Sequence, residues 1–210
     1  MIASKKELKF YITADYIMNR GTTKPSLSRR LMNVFCGDDI MRYLKAMRKY
    51  SYYKSKNIIT PPLLYNWFVF NRLGKKLGFS IGPDTLGYGV VIPHYGTIVV
   101  GPSNKIGNYA VLHTSTCITD NCKEIGDGLY LSTGAKVTSK LILGNNISIG
   151  ANSVVNKSFI ADNIMIAGVP AYIIKDMSAW YIRDGITFQK RVNAVEELKR
   201  EMGIFSSHDN

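Results

Sequence analysis

Cysteine is scarce in this 210-residue chain: Cys36, Cys117 and Cys122 are the only three, and none of their spacings is CxxC. An odd count without paired spacing excludes a disulfide framework and a thiolate zinc site. It points to reduced thiols in a cytoplasmic setting. Long apolar runs are also missing. The best, Pro61 to Phe70, is interrupted by Asn66 and falls short of the ~18 residues a membrane span needs. The segment Met1 to Lys6 is followed by no apolar core of a leader peptide. The reading is a protein that is soluble or peripheral. There is no GxxxxGK[ST], no HExxH and no GxSxG, so nothing suggests a phosphate-cradling loop, a zinc protease helix or a nucleophile elbow, and no metal is expected. Acidic residues are rare at one end. Residues 1–80 hold 16 Lys and Arg against 4 Asp and Glu, whereas residues 81–210 hold 11 of each, so the whole net charge of +12 lies in the first segment. Such a patch concentrates anionic partners such as phospholipid, polyanionic glycan or nucleic acid, and it serves equally as a solvated face. No nucleic-acid-reading motif accompanies it, which argues against that partner.

A six-residue beat is present instead. Leu86, Ile92 and Ile98 begin it. After two extra residues Ile106, Leu112 and Ile118 resume it. After one more, Ile125, Leu131, Val137, Leu143, Ile149 and Val155 continue it. A period of six matches neither a helix nor an alternating strand. It matches a β-solenoid in which each unit forms one side of a coil of about 18 residues. The fold class is therefore mainly β, with three regions: a basic, mainly helical segment over 1–78, the solenoid over 79–175, and a tail over 176–210 with a short helix from Ala194 to Met202. That last helix is expected to cap the final coil or pack on a neighbouring subunit. In the first segment, helices are expected before Gly21, from Ser26, from Asp38-Asp39 to about Lys54, and from Leu63 to Leu77 after a break at Pro61-Pro62. The aromatics around Trp67, Phe68 and Phe70 are expected to pack on other helices or on the solenoid end, with a membrane-facing surface as the alternative.

The beat also locates the histidines. Counting one coil up from His94 reaches Thr114, the neighbour of His113, so His94 and His113 are expected on adjacent coils of one side. On this count Ile118 lies over Ile98, and the two extra residues form a loop at Gly101 to Asn104 that would wall the site. Two of three histidines beside a lattice break point to chemistry; His208, near the end, does not. Cys122 has no visible activating partner.

The motifs then resemble a known family. Gly87-Tyr88-Gly89-Val90-Val91-Ile92-Pro93-His94-Tyr95-Gly96-Thr97-Ile98-Val99-Val100-Gly101 resembles the central motif of serine O-acetyltransferases, roughly IGxGxxIDHxxGxVVGE. Leu131-Ser132-Thr133-Gly134-Ala135-Lys136-Val137 is similar to their IGAGAKI, Ile149-Gly150-Ala151-Asn152-Ser153-Val154-Val155 to IGAGSVV, and Gly168-Val169-Pro170-Ala171 to GVPA. The resemblance implies a left-handed parallel β-helix, a homotrimer and acetyl-CoA as acyl donor. It places His94 on the catalytic histidine, which removes the proton from an acceptor hydroxyl. Thr133, Gly134 and Ala151 fall where small residues flank the pantetheine arm, and Lys175 falls where a cation meets a CoA phosphate.

The departures bear on the acceptor. Pro93 stands where the family has Asp, Ser80, with one residue deleted, where it has the Asp that orients the imidazole, and Asn121 and Cys122 where it has the Arg and second His that suit an amino acid. A hydroxyl-lined site of His94, His113, Tyr95, Thr114 and Asn121 suits a sugar. The pattern resembles the serine-acetyltransferase-like O-acetyltransferases of capsule and O-antigen clusters, which acetylate a polysaccharide or its precursor. The expected setting is then cytoplasmic, with residues 1–80 free to touch anionic membrane at its inner face. A true serine acetyltransferase and a non-catalytic trimeric scaffold are the alternatives.

Overall fold

The computed structural model describes residues 2–24, 26 and 37–204; the expected helix beyond Ser26, Cys36 and His208 lie outside them. Three helices open the chain: α1 (Lys5–Arg20), α2 (Asp39–Lys54) and α3 (Pro61–Leu77). Each starts on a side-chain oxygen that accepts a first-turn backbone N–H: Ser4 from Glu7, Asp38 from Met41, Thr60 from Leu63. Pro61 is not a break. It occupies the first turn of α3, where its missing N–H costs no hydrogen bond. None of the described helices is long and apolar enough to cross a membrane.

The solenoid follows as short strands: β1 (Phe79–Ile81), β2 (Ile98–Val100), β3 (Lys105–Ile106), β4 (Val111–Leu112), β5 (Thr116–Ile118), β6 (Glu124–Ile125), β7 (Tyr130–Leu131), β8 (Lys136–Val137), β9 (Ile142–Leu143), β10 (Ser148–Ile149), β11 (Val154–Val155), β12 (Ile164–Gly168) and β13 (Ala171–Asp176). They stack into three parallel faces in the orders β1-β2-β5-β8-β11, β4-β7-β10-β12 and β3-β6-β9, about five coils in all. β13 turns back antiparallel on β12 and closes the last coil. The helices close the other end: Tyr43, Phe70, Leu73 and Leu77 share one core with Phe79 and Ile81. Both ends thus lose the unpaired edge that an open solenoid would expose.

The register corrects one expectation. Ile98 pairs with Thr116 and Val100 with Ile118, so Val100 stands in the column of Ile118. The step from Ile92 to Val100 is the long one, and Val100 to Ile106 is regular. The two extra residues therefore lie in the Pro93–Thr97 corner that carries His94, not at Gly101–Asn104. Ile98 and Val100 are both buried, which is why apolar spacing alone cannot choose between them. The Gly101 corner is tied down: the Asn104 amide donates to the Gly101 and Thr119 carbonyls at 3.0 Å each.

After β13 come α4 (Trp180–Arg183) and α5 (Ile186–Glu201). α5 is longer than expected and does not cap the final coil. It returns to the first two coils and to α1, where Val195 is buried with Phe10, Met18, Tyr88 and Tyr109. The Tyr88 and Tyr109 hydroxyls both donate to Glu196.

A buried ion pair joins the helices to the first coil. Arg48 Nε on α2 donates to Asp15 Oδ2 on α1 at 2.8 Å, with both side chains at most 2% exposed. Arg48 also donates to the carbonyls of Leu86 (2.7 Å) and Gly87 (2.5 Å), and Asp15 Oδ1 accepts from Val90 N at 3.1 Å.

Candidate active site

The corner between Ile92 and Val100 is longer than its neighbours, and this lets His94 and Tyr95 stand clear of the coil; Tyr95 is 74% exposed. The corner is fixed at Gly96. Its N–H donates to Leu77 O at the end of α3 (2.9 Å), its φ is +139°, and an added Cβ would sit 3.1 Å from Thr114 Cγ2. Glycine is required there because L-residues rarely adopt this conformation. The His94 ring has no hydrogen-bond partner among the described residues. Ser80, expected from the resemblance at the position of an orienting Asp, lines a groove of about 480 Å³ with Val99, Cys117 and Asp120 that His94 does not line.

Above Gly96 one corner continues through successive coils. Gly134 N donates to Thr114 O at 3.1 Å, and Asn152 N to Thr133 O at 3.0 Å. Gly96, Thr114, Thr133 and Ala151 thus follow one another up a single edge, each step ~4.8 Å, with His94 in the longer corner at its foot. Gly134 at φ +76° leaves this edge flat, since a Cβ would collide with Asn152 Oδ1. Lys136, which sequence reasoning passes over, belongs here: its Nζ donates to Gly134 O at 3.0 Å. Its signal in the sequence is only its outward place two residues after a corner glycine. Lys175 lies elsewhere. It pairs with Met165, four residues along β13 from the corner at Ala171, or about 13 Å.

His113 follows β4 and is half-buried. Its Nε2 and Tyr130 Oη share a hydrogen bond of 2.9 Å, and the Arg183 guanidinium covers the Tyr130 ring at 4.6 Å. Burial first, and the positive charge of His94 second, hold the His113 pKa below the ordinary histidine value, against the pull of Asp184. The two histidines are therefore close enough to sense each other. The sign of the pH effect follows. The unfolded chain takes up a proton near pH 6.5 that the fold resists, so stability is full above that pH and falls as pH drops below it. Thermal melting between pH 7.5 and 5 should show this loss, and His113→Asn should flatten it; an unchanged slope in the variant would contradict the assignment.

Asn121 stands on a different corner, between β5 and β6, with its amide donating to Thr138 O at 3.1 Å. It does not meet His94 within one chain. Cys122, beside it, is exposed, and its N–H donates to Ser103 Oγ at 3.0 Å. Among the described residues no three His, Cys, Asp or Glu side chains converge as metal ligands would.

No family model matches the chain. In sequence it is 30% identical over 122 residues to serine acetyltransferases of Staphylococcus aureus (strain Mu50) and Staphylococcus xylosus, an alignment covering 54% of this chain and 55% of each relative. The chain thus spans about half the length of the curated relatives it matches. In fold it is similar to the serine acetyltransferase of Brucella abortus strain S19 (TM-score 0.57, 24% identity, 82% of this chain and 69% of that one). A serine acetyltransferase in complex with CoA gives a TM-score of 0.58 at 20% identity, over 80% of this chain and 69% of that one. A serine-bound enzyme of Neisseria gonorrhoeae gives 0.58 at 21%, over 82% and 71%. In sequence over half its length and in fold over most of it, this chain is similar to the serine acetyltransferases, the hexapeptide-repeat enzymes that its motifs resemble.

Proposed function

We propose that this protein is an acetyl-CoA-dependent O-acetyltransferase in which residues 79–175 are the catalytic unit and His94 is the general base. The observation that carries the reading is the edge of Thr114, Thr133-Gly134 and Ala151 above the longer corner that holds His94, a flat track for a thin pantetheine arm with an exposed imidazole at its foot. His94 takes the proton from an acceptor hydroxyl, whose oxygen attacks the thioester carbonyl. The tetrahedral oxyanion is met by backbone N–H groups. Its collapse forms the ester and releases the CoA thiolate, which recovers the proton from His94. His113 stays neutral beside it and, with Tyr95 and Thr114, offers hydrogen bonds to the acceptor. Lys136 is a nearer cation for a CoA phosphate than Lys175, which would serve only if the nucleotide end crosses to β13.

For the acceptor we favour a sugar hydroxyl of a surface polysaccharide or its precursor, because Asn121 and Cys122 replace the charged pair that suits an amino acid. Serine is the second reading, and the curated relatives and the serine-bound structure favour it. A trimer belongs to the proposal: Asn121 and His94 lie on different corners of one chain, so Asn121 serves the acceptor from a neighbouring copy; light scattering should then give about three times the chain mass of 23.5 kDa. The setting is cytoplasmic. The deciding assay measures free thiol from acetyl-CoA with L-serine and, separately, with nucleotide sugars and glycan fragments. Thiol release with sugars alone supports the first reading, release with serine alone replaces it by the second, and none with any hydroxyl leaves a scaffold.

A further inference from the structure

The aromatics of α3 are expected to pack on other helices or on the solenoid end, with a membrane-facing surface as the alternative, and only part of the helix is packed away. Phe70, Leu73 and Leu77 are buried, but Tyr65 (67% exposed), Trp67 (49%) and Phe68 (54%) are not, and neither are Leu64, Ile58 and Ile59 (80%). Six large apolar side chains thus face water between Ile58 and Phe68. Soluble chains scatter such residues singly, and a contiguous group marks a contact surface.

The surroundings of this group have one sign of charge. Residues 40–80 contain nine Lys and Arg and no Asp or Glu. Some of these cations are engaged: Arg48 with Asp15, Lys54 with Asp84, Lys76 with Asp39. Lys45, Arg72 and Lys75 are exposed and have no ion-pair partner among the described residues. Along the exposed side of α3, Leu64, Tyr65 and Phe68 give way to Arg72, Lys75 and Lys76 after about one turn. An apolar, aromatic stretch beside unpaired cations suits the boundary of an anionic bilayer, where acyl chains receive the first and headgroups the second.

We propose that the first half of α3, with Ile58 and Ile59, docks on anionic phospholipid. The helix is too short to cross a bilayer and lies in its interface. Its last turn is bonded to the corner that carries His94 through the contact of Gly96 N with Leu77 O. From Trp67 to Leu77 is about 15 Å of helix, and two residues more reach His94, so a docked protein holds the imidazole within about 25 Å of the headgroups. An acceptor carried on lipid would meet it there; this last consequence rests on the acyl-transfer reading, whereas the docking does not.

The chain contains its own probe. It has two tryptophans, Trp67 and Trp180, and Trp180 is 1% exposed with its indole N–H bonded to Tyr109 O. Full-length protein should cosediment with phosphatidylcholine vesicles that contain one-third phosphatidylglycerol, and not with phosphatidylcholine alone, with a blue shift of emission that comes from Trp67. Phe68→Ala combined with Leu64→Ala should weaken partition at least tenfold, and Arg72→Gln and Lys75→Gln about fivefold each. All four positions are exposed, so melting temperature should not move. Binding that ignores the apolar variants, or no binding to either vesicle, overturns the proposal. So does loss of the oligomer in light scattering on Phe68→Ala without lipid binding by the parent, which would make the face a contact between copies of this chain.

Discussion

His94→Ala is expected to lower acetyl transfer by about 10²–10⁴-fold, the usual contribution of a general base near neutral pH. The side chain is exposed and makes no hydrogen bond among the described residues, so its loss should leave melting temperature and oligomer mass as they were. That separation makes the variant informative. A drop in rate at constant stability assigns chemistry to the ring, and an unchanged rate with the preferred acceptor removes His94 from the mechanism. His94→Gln keeps a hydrogen-bonding group but no basic nitrogen and should not restore the rate. His113, held neutral by burial and its neighbour, should enter as a smaller effect on acceptor KM.

Arg48→Ala is expected to cost about 3–5 kcal/mol, the range for removing one partner of a buried ion pair. For a chain of this size that lowers the melting temperature on the order of 10 °C. The size follows from what is left behind. Asp15 would keep a charge in a site at most 2% exposed, and the Leu86 and Gly87 carbonyls would lose their donor. Asp15→Asn should cost less, because the amide oxygen still accepts from Val90 N or Arg48. The double variant Asp15→Leu with Arg48→Met should recover much of the loss, as paired replacement leaves no orphan charge. Equal losses for Arg48→Ala and the double variant would show that packing volume, not charge, governs the site.

Much of the solenoid was legible because its columns repeat one requirement. Leu86, Ile106, Ile125 and Leu143 fill one inner column, and Ile92, Leu112, Leu131 and Ile149 another, each a slot that accepts only an aliphatic side chain. The ambiguity arose where two adjacent inward positions were both aliphatic, at Ile98 and Val100, and it displaced the lattice break from the His94 corner to Gly101. Thr114 followed from counting coils, whereas Thr133, Gly134 and Ala151 came from the resemblance to the serine acetyltransferase motifs. Lys136 and the Tyr130–Arg183 support of His113 came from neither, since an outward lysine or tyrosine has no periodic signature and α4 reaches that face only through the tail. The exposed half of α3 was hidden for a related reason: periodicity gives the apolar side of a helix but not how far the helix overhangs the coil it caps.

The return of α5 to the first coil changes how the molecule comes apart. Lys6 Nζ approaches Gly203 O at 3.5 Å, and Arg191 Nη1 donates to Met18 O at 2.7 Å. A solenoid without such contacts is a row of neighbours that frays from either end. Here α1 and the α5 segment are fastened to each other over the same coil, so the last coils are bracketed between covalent connections to a closed loop. Hydrogen exchange should then report a cooperative opening of the coil stack together with α1 and α5, rather than a gradient of protection falling toward β13.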